Sequence, residues 1–176
     1  MHKPRLLILP LLFVPLNAIA QHTPEVEVFG GYSNLIANVS GPSFNLNGLD
    51  FSVAENVNSW FGGALDFTSH FGTEAGNKVN TQTITYGPVF SYRKHPSVVP
   101  FAHCLLGAVR GSSNYLNISK SAWQFTVVAG GGFDVKLTNS VALRVIQADY
   151  VMTRFSSTSQ DNIRLSAGIV VQFGRK

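Results

Sequence analysis

Two adjacent pairs carry the side chains from which a covalent hydrolase is built: Ser69 beside His70, and His103 beside Cys104. A histidine within hydrogen-bond reach of a hydroxyl or thiol takes its proton and leaves a nucleophile for acyl transfer. Each pair lies where apolar and polar residues alternate, and neighbours along a strand point to opposite faces. Neither pair therefore forms a dyad with itself, and His70 reads as a histidine satisfied by hydrogen bonds rather than as a general base. His22, His95 and the other histidines lack metal-ligand spacing. Cys104 is the only cysteine, which excludes an internal disulfide and a cysteine-type zinc site. The run AGGGF at 129–133 lacks the following helix that a phosphate loop needs. No catalytic residue, cofactor or metal is expected, and the chain does not read as an enzyme.

The charges have a more telling spacing. In WQFTVVAGGGFDVKL (123–137), Trp123, Phe125, Val127, Ala129, Gly131, Phe133, Val135 and Leu137 alternate with Gln124, Thr126, Val128, Gly130, Gly132, Asp134 and Lys136. A two-residue period this long sets one face of a strand against something apolar and the other against something polar. Similar runs recur near 24–36, 46–55, 60–71, 81–93, 98–110, 141–154 and 163–173, giving about eight strands and no convincing helix. On their polar parity stand Glu27, Asp66, Asp134, Lys136 and Arg164. The connections alternate too. ENVNS, RKHPS and LTNS are short turns rich in Asn, Pro and Ser, whereas ANVSGPSFN, GTEAGNKVN, GSSNYLNISKS and SSTSQDN are longer and polar.

The chain opens with Met-His-Lys-Pro-Arg, the apolar LLILPLLFVPL and the small-residue Asn17-Ala18-Ile19-Ala20. That order describes a secretory signal peptide over 1–20, cleaved after Ala20, ahead of a single domain over 21–176. Thirteen Lys+Arg in the whole chain fall to eleven once Lys3 and Arg5 are removed, against nine Asp+Glu, so the high pI is no argument for nucleic acid. After Ala20 no apolar stretch approaches the length of a membrane helix.

A strand that crosses a bilayer needs about nine to eleven residues, and every backbone polar group must pair with a neighbouring strand. Only a closed sheet achieves this. Short turns at one end and longer loops at the other suit an antiparallel up-and-down transmembrane β-barrel with both chain ends on the short-turn side. Its apolar face meets lipid, and about eight strands enclose a bore that side chains fill. Glu27, Asp66, Asp134, Lys136 and Arg164 then form a lumen charge network of interleaved sign, because an unpaired buried charge is costly. Gly130 and Gly132 leave room for long neighbours in the bore, mark a bulge, or do both. Trp60, Tyr92, Phe101, Phe133 and Phe173 make one interfacial belt, and Tyr32, Phe71, Trp123 and Tyr150 the other. Pro88 predicts a bulge in the fourth strand. In the seventh, Arg144 and Arg154 fall on one parity and Gln147, Asp149 and Thr153 on the other, which calls for a phase shift near Ile146 or for strand ends above the membrane. The fifth stays open between His103 and Arg110.

VEVFGGYSNL, VAENVNSWFGGALDF, GGGFDVKLTNSVALRVIQADYV and RLSAGIVVQFG resemble strands of small outer-membrane β-barrel proteins, of the type seen in the membrane domain of outer-membrane protein A. The resemblance covers nearly all of 22–176 and implies a monomer in the bacterial outer membrane, with membrane lipid and the barrel-insertion machinery as partners. It implies that Phe173 is the terminal aromatic read by that machinery. Some such barrels modify lipid A, but the residues show no nucleophile and base for that. The expected role is structural or surface-interacting, with an unknown extracellular ligand. The alternatives are a narrow porin-like solute channel and a secreted soluble barrel binding a small apolar ligand, whose pattern would be inverted.

Overall fold

The computed structural model describes residues 23–37, 44–74, 77–115, 118–155 and 158–174; the expected signal peptide at 1–20 lies outside them. Eight strands follow one another: β1 (Val26–Ala37), β2 (Phe44–Asn56), β3 (Phe61–Glu74), β4 (Asn77–Ser91), β5 (Val98–Tyr115), β6 (Ile118–Lys136), β7 (Val141–Phe155) and β8 (Thr158–Phe173). Each pairs antiparallel with the next, and β8 closes on β1 from Val26–Phe173 to Ile36–Ile163. Among the described residues there is no helix. Closure pairs the backbone all the way round, so the wall has no free edge along its length.

The turns at the end that holds both termini are built by one local device. Asn58 Oδ1 accepts from the backbone N–H of Trp60 and Phe61 at 3.0 and 2.9 Å. Thr138 Oγ1 does the same for Ser140 and Val141, and His95 Nδ1 for Ser97 and Val98. A side-chain acceptor two and three residues ahead of the backbone donors stands in for a turn hydrogen bond, which is why Asn and Thr serve there.

At the opposite end three of the four expected long loops are corrected, while 38–43 still lie between β1 and β2. The ladders run on to Glu74–Asn77, Tyr115–Ile118 and Phe155–Thr158, leaving only 75–76, 116–117 and 156–157 between strands. The polar residues there are strand extensions. Polarity in these segments does not mark where a strand ends.

The two faces separate cleanly. Phe125, Ile169 and Leu65 are 55%, 52% and 47% exposed on the outside, whereas Asp66 and Arg164 are 2% and 1% exposed in the bore. Leu49, Phe51, Val53, Phe67, Ile84, Tyr86, Leu106 and Ile163 continue the outer apolar surface. This is the reverse of a soluble barrel that carries an apolar ligand inside. Trp60, Tyr92, Phe133 and Phe173 are exposed toward the turn end, and Tyr32, Phe71, Trp123 and Tyr150 toward the other. Phe101 is the exception: at 9% exposure it faces inward, on the parity of Val99, His103 and Leu105.

The irregular strands resolve as follows. In β7, Arg144 pairs with Asp134 and Gly168, but the next bonded residues step to Gln147–Ser166 and Ile146–Phe133. One extra residue near Val145 lets Val145 and Ile146 both point outward, so Arg144, Gln147 and Asp149 all reach the bore. The side chain of Arg154 lies outside the described residues. In β5, His103 faces in and Arg110 out. Pro88 makes no bulge: β4 keeps one register with β5, from Tyr86–Leu106 to Val89–His103, and only the ladder bonds between these pairs are missing. Pro88 points outward, so its lost N–H interrupts the ladder without adding a residue.

Candidate functional site

The strand register sets the interior charges in rows. His103 of β5 lies across from Gly130 of β6, Gly130 from Asp149 of β7, and Asp149 from Arg164 of β8. The glycine makes the row work. A Cβ on Gly130 would stand 2.2 Å from Asp149 Oδ1, and through that gap His103 Nε2 and Asp149 Oδ1 meet at 2.8 Å. Gly132 gives the same clearance beside Gln147, where a Cβ would come within 2.1 Å of the Ile146 carbonyl. The glycines therefore leave room for their neighbours, and the register shift follows just beyond them, between Phe133 and Asp134.

A continuous polar chain crosses the bore. Arg144 donates from Nε and Nη2 to the two oxygens of Asp134 at 2.8 and 3.0 Å, and from Nη1 to Gln147 Oε1 at 2.8 Å. Gln147 Nε2 donates to Asp149 Oδ2 at 2.7 Å. Arg164, from β8, holds Asp149 Oδ2 with Nε and Nη2 and reaches Asp66 Oδ1 on β3 with Nη1 at 2.9 Å. The Arg144 guanidinium lies 4.3 Å from the Phe29 ring centroid and 4.2 Å from that of Phe101, cation–π contacts that account for an inward Phe101. A second cluster closes the turn end: Arg93 Nη2 donates to Glu27 Oε2 at 2.7 Å, and Gln172 Nε2 to Glu27 Oε1 at 2.8 Å.

The five lumen charges expected from sequence thus separate. Asp66 and Arg164 pair directly, and Asp134 joins their chain through Arg144 and Gln147. Glu27 belongs to the turn-end cluster with Arg93. Lys136 is half-buried near the turn, and among the described residues no ion pair joins it to either cluster. Arg93, Arg144, Asp149 and His103 complete the clusters. Arg93 was missed because it follows β4 at the head of a turn, and the other three lay in strands whose phase the alternation left open.

A third group resembles a catalytic constellation. His70 Nε2 lies 2.9 Å from Ser33 Oγ across Gly48, Ser33 Oγ and Ser166 Oγ are 2.9 Å apart, and Ser166 Oγ donates to Asp50 Oδ2 at 2.7 Å. All four residues are buried. The cavity beside His70 is about 20 Å³ and that beside Arg93 about 30 Å³. A water needs at least about 10–15 Å³, so these spaces admit a water or two and no acyl chain. Among the described residues, His70 Nδ1, Asp50 Oδ1 and Arg93 Nε have no hydrogen-bond partner. Among the described residues no cluster of His, Cys, Asp and Glu could hold a metal.

A closed eight-stranded sheet, apolar outside and ionic inside, defines the class: a small barrel of the outer-membrane type. No family model matches the chain, and neither does any curated protein. Solved structures do. Neisserial surface protein A superposes with a TM-score of 0.70 at 18% identity, over 85% of this chain and 97% of that one. Ail, the attachment invasion locus protein of Yersinia pestis, gives 0.60 at 20% identity over 84% and 98%. The outer membrane protein OprG from Pseudomonas aeruginosa gives 0.53 at 10% identity over 87% and 97%. At these identities the likeness is one of fold.

Proposed function

We propose that this protein is a monomeric, non-catalytic integral barrel of the bacterial outer membrane, structural or surface-interacting in role, with a bore closed by paired side chains. The observation that carries this reading is the opposition of faces, with Leu65, Phe125 and Ile169 outward and Asp66, Arg164 and Asp149 inward. Large contiguous apolar surface is not left to water by a soluble monomer. Against catalysis stands the burial of Ser33 and His70 beside a water-sized cavity. Against a solute channel stands Arg164, which spans from Asp149 to Asp66. In a planar bilayer the purified protein is expected to show no steady open state. A steady open conductance would favour the narrow porin-like reading, and release from cells without detergent would contradict membrane residence altogether. Recognition of a surface partner would fall to the strand extensions and connections near 37–46, 72–80, 111–121 and 156–161.

Phe173 closes β8 opposite Val26 and is exposed on the apolar side, a position suited to reading by the insertion machinery. A Phe173→Ala variant is expected to lower the folded fraction in the outer membrane of cells while refolding normally from urea into detergent. Equal loss in both assays would make Phe173 a packing residue instead.

A further inference from the structure

The outward row of β5 runs Ala102, Cys104, Leu106 and Ala108, and then reaches Arg110. The neighbouring rows change character at the same level. On β4 the outward residues Phe90, Pro88, Tyr86 and Ile84 give way to Gln82, which pairs across with Arg110. On β6, Phe125 is followed by Trp123, the belt residue that pairs with Arg110 from the other side. Trp123, Arg110 and Gln82 therefore lie side by side on three adjacent strands, where the hydrocarbon-facing surface stops. The Arg110 guanidinium is 6.0 Å from the Trp123 ring centroid. Among the described residues no carboxylate forms an ion pair with Arg110. Lys78 follows on the outward row of β4, four residues beyond Gln82, or about 13 Å along the strand. Asp161 on β8 is exposed.

We infer that Arg110, with Trp123 and Gln82, is a docking site for the anionic phosphate headgroup of a membrane lipid. The inference rests on the membrane reading above. A guanidinium at the hydrocarbon boundary keeps its stem among apolar neighbours and its head at headgroup level. There it meets phosphate oxygens that its planar fork matches. The indole supplies the flat, amphipathic wall against which the glycerol end of the lipid packs. Lys78 extends the positive field outward, and the site is confined to the β4–β6 side.

The chain has two tryptophans, Trp60 and Trp123, so a Trp60→Phe variant leaves Trp123 as the sole indole. It is reconstituted in phosphatidylcholine vesicles holding a minor fraction of phosphatidylglycerol. In one set the bromine sits on the phosphatidylglycerol chains, in the other on an equal amount of phosphatidylcholine. The expected result is stronger quenching by the brominated anionic lipid, corresponding to an enrichment on the order of fivefold beside Trp123. Arg110→Gln removes the excess, Arg110→Lys keeps most of it, and high salt weakens it. Equal quenching by the two lipids overturns the site while leaving the membrane reading intact. An indole quenched by neither lipid overturns both. Quenching of the Arg110→Gln variant by brominated phosphatidylcholine verifies that this variant has folded and inserted.

Discussion

Arg164→Met is expected to destabilise the folded barrel by about 3–5 kcal/mol, because it strips the shared cation from two buried carboxylates. Asp66 and Asp149 are both almost fully buried, and Arg164 bonds to each. Methionine restores much of the volume but none of the five N–H donors. Asp149 would keep His103 and Gln147, whereas Asp66 would keep a 3.5 Å contact from Thr85 and face the buried carboxyl of Asp50 without a cation. Urea titration of the protein in detergent or vesicles, followed by tryptophan emission, measures the loss. Adding Asp66→Asn and Asp149→Asn to Arg164→Met is expected to recover most of it, since the uncompensated charges leave together. A loss that persists unchanged in the triple variant would mean that packing, not charge, sets the cost.

Leu65→Arg carries the second large effect. Leu65 sits on the outer face of β3, paired with Val53 and Tyr86, well inside the apolar surface. A cation on the lipid face near the midplane costs about 2–4 kcal/mol, falling to about 0–1 near the interfaces. Leu137→Arg, at the exposed turn that follows β6, provides the comparison and is expected to be nearly silent. Urea titration of both variants in phospholipid vesicles separates them. Were the outer face wet, the two substitutions would cost the same and neither would cost much.

Much of this arrangement was legible in the alternation. In β2, β3, β4 and β8 every inward and outward assignment agrees with the fold, because a period-two pattern over ten or more residues admits one phase. Legibility failed where the phase slips. The extra residue near Val145 moved Arg144 onto the inward face together with Gln147 and Asp149, and neither parity alone describes that strand. Phe101 misled for a different reason. Its size and position suited a belt, yet the ring serves an inward guanidinium, a contact made across strands and invisible to spacing. Pro88 signalled a missing donor, and the fold absorbed it without a shift. Partners fare worst of all: that Glu27 meets Arg93 follows from which turn folds over which strand end, and no periodicity records that.

Cys104 provides the most direct measurement. It is the only thiol, it points outward between Ala102 and Leu106, and it lies between the row of Phe133 and the row of Trp123. A nitroxide on Cys104 of the vesicle-inserted protein is expected to be relaxed by dissolved oxygen and untouched by a water-soluble nickel chelate. A charged maleimide should label the thiol only after unfolding in urea. Ready relaxation by the nickel chelate, or rapid maleimide labelling of the inserted protein, would place that face in water and contradict the account.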